Sequence, residues 1–474
     1  MNQAQQIFPI QVFRAYDIRG KVSILTPEFI YAVANGLAEL FLERGESNIV
    51  LGYDARITSA EYAGIIQQAF TEKGLNITLL GRCSSPQMYF STRENGGNGI
   101  MVTASHNEKC DNGIKWMLQG FPPTPEMIQA VAQKSQQYFP STHYKLYKKL
   151  EAEHIPQFCQ AYQSHLISDI QLKRKFKVAI DGLNGSAGEC AAHILEKLGC
   201  EVIALRCEAN GEFPDHAPDP SKEQNLEKLK CAVQQHQADI GIALDGDGDR
   251  LVILNEKAEV LSADQLLSLF SEICLKTHPS SEIVFDVKCS TMVRNTVRHL
   301  GGKPKMIRTG STFLRTHLAQ SNGQAVFGGE YAGHYVFNDG RGLGYDDGLY
   351  AALRILEYLS ESASKTVSAL FEKYPKRSST EDTYIHIHDV DTTQVLQYFE
   401  QLSLNVDAEL SKIDGIRLDF EDGFGIIRAS NTGEYFTVRF DADNSTRLNE
   451  IRNTFVTMLS GRYPNIAQDI LDAQ

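Results

Sequence analysis

Asp245-Gly246-Asp247-Gly248-Asp249-Arg250 sets three carboxylates on alternate residues between two strand-like apolar runs, Ile240 to Leu244 and Leu251 to Leu254. Carboxylates this close repel one another and become comfortable only around a cation. An all-oxygen ligand set suits a hard ion, Mg²⁺ or Ca²⁺. An EF-hand is the competing pattern, and Glu256 even falls at its twelfth position. Arg250, however, occupies the place where that loop needs glycine, and neither flank reads as a helix.

A second stretch with chemical content is Thr103-Ala104-Ser105-His106-Asn107, between the apolar run Gly99 to Val102 and the polar turn Glu108 to Gly113. A serine at a strand exit, with histidine and asparagine beside it, has the makings of an activated or covalently modified hydroxyl. Read alone, it equally suits a turn in which Ser105 and Asn107 bond nearby backbone. Gly328-Gly329-Glu330-Tyr331-Ala332-Gly333-His334 reads as a glycine-rich loop whose carboxylate and imidazole could bind hydroxyls. Arg428-Ala429-Ser430-Asn431-Thr432-Gly433 offers a guanidinium, hydroxyls and approachable backbone N–H groups, either a phosphate cradle or a capped turn. The Gly340-x-Gly342-x-Gly344 pattern lacks the strand-turn-helix context of a dinucleotide site, and Asp346-Asp347 more simply caps the helix that follows.

The elements that must position these stretches form a recurring unit of strand, loop, helix and strand. It runs from Asn48-Leu51 through Asp54, a helix from Ser59 to Phe70, Gly74 and Ile77-Leu80. It returns at Lys177-Ile180, Asp181, a helix through Leu198, Gly199 and Val202-Leu205, and again at Ile283-Phe285, Asp286, a helix over 291–300, Gly301 and Lys305-Ile307. Repetition at roughly 100-residue intervals is too long for a solenoid and predicts α/β domains built alike. Asp54, Asp181 and Asp286 then stand at strand ends of the kind where ligands bind.

Residues beyond about 375 differ in texture, with alternating runs such as Tyr384 to Ile387 and Phe436 to Phe440. The fold expected is α/β: three similar mixed-sheet domains plus a C-terminal α+β domain. The expected divisions are residues 1–150 with the serine loop, 151–255 with the acidic loop, 256–374 with the Glu330 loop, and 375–474 with the Arg428 loop.

At 474 residues burial is not limiting, and 42% hydrophobic with 22% charged residues is an ordinary globular balance. A formal charge of -13 argues against non-specific binding to nucleic acid or to an anionic membrane surface. Nine cysteines lack any CxxC pair, so neither a zinc site nor a disulfide framework is expected, and they read as buried small hydrophobes. No stretch reads as a signal peptide or membrane span, which points to a cytoplasmic enzyme.

Taken together with Phe13-Arg14-Ala15-Tyr16-Asp17-Ile18-Arg19-Gly20, these motifs resemble, end to end and in order, the α-D-phosphohexomutase family in its bacterial phosphomannomutase/phosphoglucomutase branch. The resemblance implies four domains around a central cleft. It implies Ser105 as the phosphorylated serine, with Asp245, Asp247 and Asp249 holding Mg²⁺ together with it. It further implies that Glu330 and His334 read the sugar, that Arg428, Ser430, Asn431 and Thr432 clamp the non-reacting phosphate, and that Tyr16, Arg19, Lys115, Arg250 and Lys288 line the cleft. Lys115 or His106 is the expected general base. Three aspartates and a phosphoserine carry about -5 against +2 from the metal, so cations such as Arg250 and Lys115 are needed close by.

The reaction implied moves the phosphoryl group from Ser105 to a hexose phosphate. The resulting bisphosphate turns round before returning its other phosphate, and glucose 1,6-bisphosphate or mannose 1,6-bisphosphate serves as activator. Hexose phosphates are the expected partners, and a monomer is the expected state, with a dimer as the alternative.

Five residues depart from the family pattern: Ala332 where serine is usual, Ser311 where close relatives have histidine, Gly433-Glu434 in place of the usual residue-proline after the phosphate motif, and Glu108 where proline commonly follows Ser-His-Asn. One lost hydrogen bond is worth about 0.5 to 1.5 kcal/mol, enough to tilt mannose against glucose. The leading expectation is a mutase of mannose and glucose phosphates in carbohydrate metabolism. The rivals are a phosphoglucosamine mutase and a phosphosugar-binding protein that has lost turnover.

Overall fold

Alternate residues of the inner strands point into two different cores. Ile49 and Leu51 join one apolar cluster and Val50 another, while Ile100 and Val102 join the first and Met101 the second. Strands buried on both faces read as continuous apolar runs, which is why these segments show no polar alternation.

The computed structural model describes residues 7–140, 156–387, 390–429 and 435–472. The chain divides into two compact units, Met1–Leu261 with Ala332–Leu370, and Ser262–Tyr331 with Phe371–Gln474. The expected division at residue 150 lies outside the described residues.

In the first unit one mixed sheet runs in the order Ile18–Lys21, Asp111–Met117, Gly99–Val102, Asn48–Tyr53, Asn76–Arg82. Its last three strands are parallel, and Asp111–Met117 runs antiparallel to both of its neighbours. Helices Pro27–Glu43 and Ser59–Glu72 pack against each other and contribute to the larger core. A second sheet repeats the plan in the order Glu201–Leu205, Lys177–Asp181, Ile240–Leu244, Leu251–Asn255. Here too the first three strands are parallel and the last returns antiparallel.

The second unit carries the third copy, with Lys303–Ile307, Glu282–Asp286 and Ala325–Gly329 parallel. It also carries an antiparallel sheet of Tyr435–Ala442, Gly423–Ala429, Ile416–Asp419 and Glu409–Ser411, with Ser378–Ser379 and Thr383–His386 both pairing with Tyr435–Ala442. Phe436, Val438, Phe440 and Ala442 meet Phe455 and Leu459 of helix Ser445–Ser460 in one core. The α/β repeats and the distinct C-terminal sheet therefore follow the sequence pattern.

Each repeat places its chemically dense loop after the third parallel strand. Ser105 lies between Gly99–Val102 and Asp111–Met117, the acidic loop between Ile240–Leu244 and Leu251–Asn255, and Glu330 to His334 directly after Ala325–Gly329. Gly328 and Gly329 belong to that strand, so the loop is shorter than the glycines suggest.

The strand-end aspartates expected at ligand sites instead hold their own loops. Asp54 pairs with Arg56, Asp181 with Arg206, and Asp286 accepts from Thr309 Oγ1 at 2.9 Å and Tyr331 N at 3.1 Å. Ser59, the first residue of its helix, donates its hydroxyl to Asp54 Oδ1 at 2.6 Å. Among the cysteines, Cys110 and Cys231 are exposed and Cys207 is half-buried, so the expectation of buried small hydrophobes holds for the other six. Among the described residues, no helix is long and apolar enough to cross a membrane.

Candidate active site

Ser105 sits at the start of its loop with φ 52°. That left-handed conformation costs a non-glycine residue roughly 1–2 kcal/mol, so the surroundings must hold it. Its N–H donates to Thr103 Oγ1 at 2.8 Å, and its hydroxyl donates to Asp245 Oδ2 at 2.5 Å. The acidic loop reaches this close because residue 246 has no side chain: a Cβ there would stand 2.5 Å from Ser105 O.

The hairpin turn itself is tied by Asp245, whose Oδ1 accepts from Gly248 N at 3.0 Å and Arg250 N at 3.1 Å. Gly248 has φ +79°, the second place where the turn requires glycine. Asp247 Oδ2 accepts from Ser85 Oγ at 2.6 Å and Thr103 Oγ1 at 3.2 Å. Lys115, two-thirds of the way along its strand, places Nζ 2.9 Å from Asp247 Oδ2 and 2.8 Å from Asp249 Oδ2.

Asp245, Asp247 and Asp249 are all buried, and each offers an oxygen within 4.8 Å of the others'. Burial pushes the Asp245 carboxyl well up, reinforced by the charges of Asp249 and Asp247. Burial acts on Asp247 in the same direction, but Lys115 overrides it and holds that carboxyl far below the usual range. Asp247 Oδ1 and Asp249 Oδ1 are buried and accept no hydrogen bond among the described residues. Three buried carboxylates that cannot all ionise by themselves, two with an oxygen to spare, suit a hard divalent cation.

Burial works against charge on Lys115 as well, yet Asp247 and Asp249 raise its pKa well above the ordinary value, keeping it a cation. His106 goes the other way: burial, then Arg250, Arg19 and His334, hold its ring well below the usual imidazole range, so it stays neutral. Its Nδ1 is 3.3 Å from Ser105 Oγ. Of the two general-base candidates, then, only His106 has a free lone pair in this arrangement.

Arg19 donates to Asp17 Oδ2 at 2.6 Å and to Asn107 Oδ1 at 3.2 Å, which links the segment before the first strand to the serine loop. Tyr16 is half-buried on the same segment. His334, expected in a sugar-reading loop, is tied to the acidic hairpin. Its Nε2 accepts from Arg250 Nε at 3.0 Å and its Nδ1 lies 2.9 Å from Asp346 Oδ2. Burial opposes charge on this ring, but Asp249 and Asp346 outweigh it, against Arg250, and raise its pKa. Asp346 is thus a partner of His334, while Asp347 alone caps the next helix, accepting from Tyr350 N at 2.9 Å.

In the second unit, Lys288 pairs with Asp382 and lies 5.8 Å from the centroid of the Tyr331 ring. Burial is again outweighed, here by Asp382 and Asp286, and the Lys288 pKa is raised. Glu330, 2% exposed, accepts from Gly310 N. Arg428 is buried 3.1 Å from Asp414 Oδ2. Ser430, Asn431 and Thr432 lie outside the described residues.

Sequence reasoning missed Arg56 and Ser85, gave Thr103 no role of its own within the serine stretch, and took Asp346 for part of a helix cap. The signal for Ser85 was the Ser84-Ser85-Pro86 run, whose Ser84 forms a capping box that aims the helix start at the acidic loop. Asp54 and Arg56 two residues apart after a strand were the signal for the other buried pair.

Three family models match the chain in order. They are phosphoglucomutase/phosphomannomutase alpha/beta/alpha domain I over residues 10–140, domain II over 156–258 and domain III over 262–377. A phosphomannomutase/phosphoglucomutase of Pseudomonas syringae pv. tomato is 35% identical, over 98% of this chain and 99% of its own. A phosphoglucomutase of Neisseria meningitidis is also 35% identical, over 96% of this chain and 98% of its own. Among solved structures, a phosphoglucomutase/phosphomannomutase family protein from Burkholderia thailandensis superposes with a TM-score of 0.87 at 30% identity. That match covers 97% of this chain and 99% of the other.

Proposed function

The chain belongs to the phosphoglucomutase/phosphomannomutase family and is a phosphohexomutase, an isomerase; on that footing we propose that it interconverts mannose 1-phosphate and mannose 6-phosphate, and the corresponding glucose pair, through a phosphoserine at Ser105 and a bisphosphorylated sugar. The observation that carries this is the Ser105 hydroxyl 2.5 Å from Asp245, in a strained loop conformation, against a buried set of three carboxylates.

Asp245, Asp247 and Asp249, with the phosphoserine, hold Mg²⁺. When bound, the ion neutralises charge on the transferring phosphoryl group. The chain's own residues do the rest. Lys115 and Arg250 supply fixed positive charge beside the carboxylates, which lowers the cost of bringing a dianionic substrate to an acidic loop. As the phosphoryl group passes from Ser105 Oγ to the sugar hydroxyl, the hydroxyl loses a proton and Ser105 Oγ regains one. His106, neutral and 3.3 Å from Oγ, is the group placed to exchange that proton.

His334 fixes the direction of Arg250 through Nε2, Arg19 contributes its guanidinium beside Asn107, and Tyr16 is a further polar group on the segment before the first strand. Lys288, Glu330, Arg428, Ser430, Asn431 and Thr432 read the sugar and the phosphate that does not react. The working parts are residues 1–150, 151–255, 256–374 and 375–474. The enzyme acts in the cytoplasm as a monomer, primed by glucose 1,6-bisphosphate or mannose 1,6-bisphosphate.

Initial rates on mannose 1-phosphate, glucose 1-phosphate and glucosamine 1-phosphate at equal concentration test the substrate. Turnover of the first two well above the third supports the reading. Preference for the amino sugar replaces it with a phosphoglucosamine mutase.

A further inference from the structure

The carbonyl groups of the Ser105 loop converge on one guanidinium. Arg56 is 3% exposed. Its Nη2 donates to Ser105 O at 2.8 Å and Asn107 O at 2.7 Å, and its Nη1 to Glu108 O at 2.6 Å and Asp111 O at 3.0 Å. The remaining N–H, on Nε, goes to Asp54 Oδ2 at 3.2 Å. All five donors of the fork are therefore used, three of them on backbone oxygens of the serine loop and a fourth on the first residue of the strand that follows.

The clamp is itself held from behind. Asp54 accepts from Arg56 N at 2.9 Å and from Ser59 Oγ at 2.6 Å, so the carboxylate cannot rotate away. Phe213 places its ring centroid 5.2 Å from the guanidinium carbon. An ion pair this deep is costly to desolvate and is not needed for stability alone, since apolar residues of similar volume often serve as well. What it provides here is geometry. Ser105 adopts φ 52°, and a direct bond to its carbonyl oxygen opposes relaxation toward the right-handed region.

We infer that Arg56 is a positioning residue for phosphoryl transfer. Through the Ser105 carbonyl it keeps the serine in its left-handed conformation, so that Oγ stays aimed at the acidic loop with or without phosphate. Arg56 acts on the backbone of the serine loop, and nothing in its arrangement requires contact with the reacting atoms. The inference rests on the reading of Ser105 as the phosphorylated residue.

Arg56→Lys keeps the charge opposite Asp54 but has three donors where five are used, and it cannot span four carbonyls. The double variant Asp54→Asn/Arg56→Gln removes the clamp without leaving a buried charge unpaired, and it serves if the lysine variant does not fold. Each is read per folded molecule, by circular dichroism and steady-state kinetics. We expect kcat to fall ~10- to 100-fold with KM for mannose 1-phosphate within twofold, as for a misplaced reacting group. Charging of Ser105 by glucose 1,6-bisphosphate, followed by mass, slows by the same factor. Wild-type charging with variants that charge and turn over at the wild-type rate overturns the role of Arg56 alone. A wild-type protein that never accepts phosphate on Ser105 overturns the underlying reading and Arg56 with it.

Discussion

Lys115 Nζ stands 2.9 Å from Asp247 Oδ2 across 132 residues of sequence, joining the strand after the serine loop to the acidic hairpin. The same ammonium reaches Asp249 Oδ2 at 2.8 Å. Lys115→Met leaves buried carboxylates without that partner, which typically costs about 3–5 kcal/mol. Thermal unfolding in chelator will show the loss, and millimolar Mg²⁺ will return part of it, because a cation between the carboxylates substitutes for the missing charge. A deficit that is identical with and without Mg²⁺ would mean that the three aspartates are not the metal site.

Gly246 marks the closest approach of the acidic loop to the serine loop. A Cβ there meets Ser105 O at 2.5 Å and Pro218 Cγ at 2.8 Å. Gly246→Ala will destabilise the protein by roughly 1–3 kcal/mol, as overpacking does. It will also lower kcat more than it raises KM, because the contact it strains is with the backbone of the nucleophile. Urea unfolding and steady-state kinetics check the two parts separately.

Much of this was readable from the chain. Apolar runs between polar loops marked the parallel strands, and the recurrence of Asp54, Asp181 and Asp286 at strand ends marked the repeat. Ser105 and the three aspartates stood out by residue type and Lys115 through the family resemblance, and the structure brings all five together. What the pattern could not give was which loop faces which. The strand-end aspartates looked like ligand groups, yet each is consumed by its own repeat, as Asp181 is by Arg206. His334 sits four residues from Glu330 but answers to Arg250 and Asp346. Partners of that kind are fixed by tertiary packing across long stretches of sequence, and no local spacing encodes them.

Asp347 gives a pH signature of the fold. Burial pushes its carboxyl up to about 6, in spite of the bonds it accepts from Tyr350 N and Tyr162 OH. The unfolded chain releases the same proton near pH 4. Between those values the folded state holds more protons, so the contribution of Asp347 to stability falls as pH rises from about 4 to about 6 and levels off above. Asp347→Asn remains a competent helix cap and escapes that fall. Relative to wild type, the variant will gain stability steadily over this window and hold a constant difference at higher pH. A difference independent of pH from 4 to 7 would contradict the assignment.

Glu330 tests the sugar-reading loop. Glu330→Gln alters the carboxylate while keeping its shape, and a hydrogen bond to a sugar hydroxyl is worth about 0.5–1.5 kcal/mol. The ratio of kcat/KM for mannose 1-phosphate to that for glucose 1-phosphate will therefore move by up to about tenfold. An unchanged ratio together with unchanged KM values removes Glu330 from substrate recognition.

Ser105→Ala removes the acceptor of the phosphoryl group and will lower kcat by roughly 10⁴-fold or more, as loss of a nucleophile does elsewhere. Binding of mannose 1-phosphate, followed by calorimetry, will stay within a few-fold of wild type. Residual turnover near the wild-type rate would exclude a covalent route through this serine.

The covalent route itself is tested most directly by the intact mass of the purified protein, with the modified peptide mapped, before and after addition of glucose 1,6-bisphosphate and then mannose 1-phosphate with Mg²⁺. One phosphate on Ser105, gained from the bisphosphate and lost to the sugar monophosphate, is the predicted result. A protein that stays unmodified at Ser105 through both additions while still turning over substrate would contradict it.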